Sequence, residues 1–142
     1  MPRRVIHFQK GRSHEELWNA LRDQFQQEYR LVSIDRKGID SKPQEDAETV
    51  VHILEELQWP DAVLIAHGED CRFARDLAML APQRVSALFL VDAPDDVTVQ
   101  STRHPFLHVT TADSGRQDPF VLENSALLPE VFHAFCTLRL RG

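Results

Sequence analysis

The chain has 142 residues, 42% of them apolar and 27% charged, and a formal net charge of −6. The length fits one domain, 1–142, with one core. The acidic balance and the lack of any Lys/Arg cluster argue against a nucleic-acid partner, because phosphate binding needs concentrated cations. No window is apolar enough for a membrane span, and the opening Met1-Pro2-Arg3-Arg4 runs straight into a strand-like segment without a signal-peptide pattern. Two widely separated cysteines, Cys71 and Cys136, fit a reducing compartment, so a cytoplasmic location without a disulfide is expected.

Val5-Ile6-His7-Phe8 reads as a short buried strand, and residues 9–13 as a polar turn containing Gly11. Ser13 with Glu16 forms a capping box, and Leu17, Trp18, Leu21 and Phe25 then recur at helical spacing. Trp18 and Phe25 are expected in the core. A second strand covers Tyr29 to Ile34 and ends at Asp35; Gly38, Asp40 and Pro43 mark residues 36–45 as a loop. The second helix is predicted over 47–57, with Val50, Ile53, Leu54 and Leu57 as its stripe and Trp59-Pro60-Asp61 as its stop. Residues 62–66 are a continuously apolar strand, 70–80 a helix with Phe73, Leu77 and Leu80 on one face, and 85–91 a further strand ending at Asp92. A polar loop over 93–104 leads to a fifth strand at 106–110 and a weak sixth at 120–122. Pro129 suits the first turn of a last helix over 130–140.

Strands alternating with helices predict a parallel sheet with helices on both faces. The strands are apolar throughout rather than alternating, as strands buried on both faces are. The expected fold class is therefore α/β, a three-layer α/β/α arrangement with a mostly parallel sheet of five to six strands. In such sheets ligands bind beyond the carboxyl ends of the strands, where strand order reverses. The candidate site lies between the loops 9–13 and 67–71, with Asp35, Asp92 and Asp113 in reach.

These segments also carry a family resemblance. Leu64-Ile65-Ala66-His67-Gly68 resembles the strand entering the nucleophile elbow of α/β hydrolases, which reads Gly-x-Ser-x-Gly. Trp59 and Ala62 upstream, and Pro82, Arg84-Val85, Ala87-Leu88 and Leu90-Val91-Asp92-Ala93-Pro94 downstream, fit the same pattern. So do Arg30 to Ile34 with Asp35 and Gly38, the strand ahead of Asp113, and the segment 129–135 as a final helix. The resemblance covers nearly the whole chain and implies a minimal α/β-hydrolase-like core.

The chain departs from that pattern where the chemistry would be. Gly68 stands at the serine position, and glycine has no nucleophile. Glu69 and Asp70 put two carboxylates at the following helix start, where they suit the helix dipole but oppose an oxyanion. The oxyanion loop, His-Gly in the family, reads Phe8-Gln9. Asp113 is at or next to the triad-acid position, yet no histidine occurs at 121–124, and His133 falls on the last helix. The lid shrinks to residues 95–103. The family's first hairpin is absent, leaving sheet order 2-1-3-4-5(-6), an order flavodoxin-like folds share. No glycine- and hydroxyl-rich loop follows the first strand, so no flavin is expected, and the histidines show no metal-ligand spacing.

The expectation is a catalytically degenerate α/β-hydrolase-like protein binding a small molecule or a protein. Its candidate ligand-binding residues are Phe8, Gln9, Lys10, His67, Gly68, Glu69, Asp70, Asp92 and Asp113, with no cofactor or metal. The alternative is a hydrolase or lyase with a non-serine site of His67, Asp70, Cys71 and Asp113. Against it, Cys71 has acidic neighbours that oppose a thiolate, and Asp92 and Asp113 suit loop starts that bond turn amides. Tyr29 to Ile34 becomes an apolar edge strand without proline, which predicts cover by residues 36–45, by a partner, or by a second copy in a homodimer.

Overall fold

A computed structural model of the chain describes residues 2–9, 15–25, 27–35, 43–97, 103–112 and 121–140. Five strands, β1 (Arg3–Gln9), β2 (Tyr29–Asp35), β3 (Ala62–His67), β4 (Val85–Val91) and β5 (Phe106–Val109), form one sheet in the order β2-β1-β3-β4-β5. Every pairing is parallel: Val5 lies opposite both Leu31 and Val63, Leu64 opposite Leu88, and Leu90 opposite His108. Four helices connect and cover them: α1 (Glu15–Gln24), α2 (Pro43–Glu56), α3 (Asp70–Leu80) and α4 (Leu128–Arg139).

The uninterrupted apolar runs follow from two cores. Ile6, Phe8, Leu64, Ala66, Leu88 and Leu90 point to one face and pack with Val50, Leu54, Phe73 and Leu77 of α2 and α3. Val5, Val63, Ile65, Phe89 and Val91 point to the other and pack with Trp18 and Leu21 of α1 and Phe132 and Phe135 of α4. Successive strand side chains alternate between the faces, so only a strand apolar at every position fills both. Each such Leu or Phe, fully buried, contributes about 1.5–3 kcal/mol.

Several element boundaries differ from expectation, and one strand is lost. The second helix begins at Pro43 rather than Ala47, because proline's fixed φ suits a first helical turn. Its end is a Schellman closure: Gln58, at φ 59°, donates its N–H to the Glu55 carbonyl (3.0 Å), and Trp59 donates to Leu54 (2.9 Å). The sixth strand is reduced to one bridge. Leu122 donates to the Thr110 carbonyl (2.8 Å) and accepts from Ala112 (3.1 Å), which leaves five strands among the described residues. The proposed Ser13 cap, residues 36–42 and Phe120 lie outside those residues.

β2 ends the sheet on one side, hydrogen-bonded within it to β1 alone. Among the described residues no helix is long and apolar enough to cross a membrane.

Candidate functional site

The chain leaves β1 for β2 on one side and reaches β3 on the other, so the strand order reverses between β1 and β3. The carboxyl ends of those strands, at Gln9 and His67, therefore flank the crevice such sheets use for ligands.

Gly68 makes the turn out of β3. Its φ is +54°, in the left-handed region that L side chains enter only under strain. Its N–H donates to the Val91 carbonyl (2.8 Å), and its own carbonyl accepts from Cys71 (3.1 Å), starting α3. Among the described residues, none lies within 4 Å of a Cβ built there. The sharp, open strand-turn-helix geometry of a nucleophile elbow is thus present, with no side chain at its apex.

His67 turns toward the α1 side, where the Trp18 indole donates Nε1–H to its Nε2 (2.7 Å). An indole nitrogen can only donate, so a neutral His67 carries its proton on Nδ1. His7, fully buried, completes the group, with ring centroids 5.5 Å from His67 and 5.8 Å from Trp18. Sequence reading placed Trp18 simply in the core and passed over His7. The period-two alternation that puts Val5 and His7 on one face carried the signal for this cluster.

The other candidates divide. Phe8 is a correction: its ring is fully buried, edge-on to Phe73 at 5.1 Å, and belongs to the core, so only its backbone borders the crevice. Glu69 is exposed and pairs with Arg72 (2.9 Å). Arg72 also binds Asp96 through both carboxylate oxygens, which holds the Asp96 carboxyl below its usual range and ties the segment after β4 to α3. Asp70 is buried at the first turn of α3. Asp92, at φ 52°, spends both oxygens on Thr111: Oδ1 accepts the backbone N–H (2.7 Å) and Oδ2 the hydroxyl (2.6 Å). Together with Asp92 N–H to Val109 (2.8 Å) and Ala93 N–H to His108 Nε2 (3.1 Å), this splices the end of β4 to β5. Gln9 ends β1, but its side chain, like Lys10 and Asp113, lies outside the described residues.

Cys71 is fully buried and its thiol faces the carbonyls of Ala66 (3.5 Å) and Val91 (3.7 Å). Burial, with the charges of Asp70, Asp92 and Glu69 adding to it and the Val91 backbone bond opposing it, pushes the thiol up to about 12. A thiolate at neutral pH is therefore strongly disfavoured. His133, far from the crevice, stacks on Phe25 at 4.1 Å and hydrogen-bonds the Tyr29 hydroxyl (2.8 Å). Among the described residues no group of three or more His, Cys, Asp or Glu could hold a metal ion.

No protein-family model matches the sequence, and no curated protein does either. Solved structures do match. A probable hydrolytic enzyme from Pseudomonas aeruginosa superposes with a TM-score of 0.55 at 23% identity, over 64% of this chain and 32% of its own. Cfl2 from Burkholderia cenocepacia gives 0.54 at 20% identity over 70% and 39%. An epoxide hydrolase from Bacillus megaterium gives 0.53 at 17% over 66% and 37%. The fold is that of the α/β hydrolases, as the elbow segments led us to expect. At these identities the likeness is one of fold, and the chain spans 39% or less of the length of each of these structures.

Proposed function

We propose that this protein is an α/β-hydrolase-fold protein without serine hydrolase chemistry, whose crevice between the ends of β1 and β3 binds a small molecule. The observation that carries the reading is Gly68: the chain turns there at positive φ, with no described residue within 4 Å of a Cβ built on it, while the nucleophile is missing. Two further groups support it. Cys71 is held as a buried thiol, and Asp92 is consumed in joining β4 to β5. With Cys71 held as a thiol, the non-serine hydrolase or lyase alternative has no thiolate to use and rests on Asp70, as carboxylate nucleophile or acid–base group, and on His67.

Two measurements test the proposal. A fluorophosphonate probe and a panel of short acyl esters should give neither labelling nor turnover. Turnover abolished by Asp70→Asn would instead establish the enzyme reading. A thermal-shift screen of small polar and apolar metabolite-sized compounds should yield a ligand. One present at 100 times its Kd adds about 2.7 kcal/mol of stability, a rise on the order of 11 °C for a chain of this size. Changing Gly68 to Trp, which fills the open space above the turn, should abolish that shift. A hit unaffected by this change would place binding elsewhere and refute the crevice.

A further inference from the structure

On the opposite face from His67 and Trp18, α2 and the end of α3 enclose a groove of about 430 Å³. Its floor is apolar, from Ala47 and Val51 at one turn's spacing along α2 and from Leu80 and Ala81 where α3 ends. Leu80 is 54% exposed. The α2 wall of the groove is acidic. Glu48, His52 and Glu55 line it, and residues 43–56 contain five Asp or Glu and no Lys or Arg. Glu55 is paired with Arg84 (3.2 Å), whereas Glu48 and Glu56 are exposed and make no ion pair with a described residue.

We infer that this groove docks a basic amphipathic helix of a partner protein. The charge complementarity selects a cationic occupant. The apolar floor requires one with a nonpolar stripe, because a purely polar cation would leave Leu80 and Val51 in water. The lining positions 47, 48, 51, 52 and 55 follow one face of α2 over about 12 Å, at 1.5 Å per residue, which matches two turns of a helix laid alongside. Leu80 on the α3 side adds an exposed apolar contact for such a stripe. An anionic membrane surface is disfavoured by the same acidic wall.

The test uses the whole chain and a fluorescein-labelled 14-residue peptide of leucine and lysine, patterned so that the lysines cover one helical face. Anisotropy should show binding that weakens as salt is raised, since exposed charges are screened. The same peptide with glutamate in place of lysine should bind at least tenfold more weakly. Leu80→Asp removes the floor and Glu48→Lys reverses the wall; each should weaken binding about tenfold. Both positions are exposed, so circular dichroism should be unchanged, and if Leu80→Asp does perturb the fold, Glu48→Lys decides. Glu123→Lys makes the same charge change outside the groove and should leave binding within twofold. Equal losses from Glu48→Lys and Glu123→Lys, or equal binding of the glutamate peptide, would overturn the inference. So would binding to anionic vesicles, measured without peptide, that is lost with Leu80→Asp.

Discussion

Replacing Gly68 with serine places a hydroxyl at the elbow and tests the proposal that the site has no serine hydrolase chemistry. The backbone there sits at φ +54°, so any L side chain incurs left-handed strain of about 1–2 kcal/mol. No described residue adds a steric contribution, because none lies within 4 Å of a Cβ there. At roughly 4 °C per kcal/mol, the variant should melt about 4–8 °C below the parent and remain folded. It should still fail to hydrolyse acyl esters. A serine needs a base within hydrogen-bond reach, and residues 121–124 are Val, Leu, Glu and Asn. His67 is adjacent in sequence but faces the α1 side, where its Nε2 accepts from Trp18. Melting by differential scanning fluorimetry and burst-phase hydrolysis of p-nitrophenyl acetate, with parent protein as the blank, measure both halves. A loss much above 4 kcal/mol would show that the space over the turn is occupied. Turnover above the parent would show that the glycine alone silences an otherwise competent site.

Four other outcomes are expected. Gln58→Gly relieves the positive φ of the Schellman closure after α2 and should stabilise the protein by about 0.5–1 kcal/mol in urea denaturation. Asp92→Ala removes both bonds to Thr111 and should cost about 2 kcal/mol by the same measurement, while Thr111→Val, which keeps the backbone donor, should cost less. Cys71 and Cys136, raised by burial from 9.0 to about 12 and about 11, should resist Ellman's reagent in the native protein. Because both folded values lie above the unfolded ones, their stability contribution is complete below pH 9.0 and declines as pH rises toward about 11, which alkaline urea titrations will follow. The open edge of β2 is proposed to pair with a second copy; sedimentation should find a dimer that Ser33→Lys, a charge on the exposed edge strand, dissociates, and a monomer in the parent would refute the pairing.

The fold was legible because its signals are redundant. Runs such as Ala62-Val63-Leu64-Ile65-Ala66 and Val85 to Val91 are apolar at both parities, which a parallel strand between two helical layers requires. Boundaries were less legible where one residue decides them. Nothing in Gln58 announces a left-handed turn, since glutamine has no special preference for it; the turn is imposed by the two closing hydrogen bonds. The sixth strand failed for a related reason, as a short apolar stretch at the edge holds only the pairing that β5 and its continuation offer it. At the site, sequence reading found the turn at Gly68 but not its company. His67 and Trp18 are 49 residues apart and meet only once α1 is laid across β1 and β3. Phe8 was misplaced because a residue at a strand end can point either to the crevice or into the core, and parity with Ile6 sends it to α3.

The persistence of the elbow without its serine has a structural cause. In the hydrolase pattern the strained turn exposes the nucleophile, so loss of chemistry would remove that reason for the strain. Here the turn is held by groups that have nothing to do with a nucleophile: Gly68 N–H reaches across to Val91, and the buried Cys71 thiol bonds Ala66 and Val91 from below. These contacts dock the start of α3 against β3 and β4, and glycine adopts the required φ without strain. The turn is therefore an architectural joint in this protein. In the proposed ligand-binding reading, Trp18 orients His67, one of the candidate residues, through the indole bond to its Nε2. Trp18→Phe removes the indole donor while keeping the ring, so it should weaken ligand binding in the crevice more than it lowers the melting temperature. An effect on stability alone would return the Trp18–His67 pair to the core.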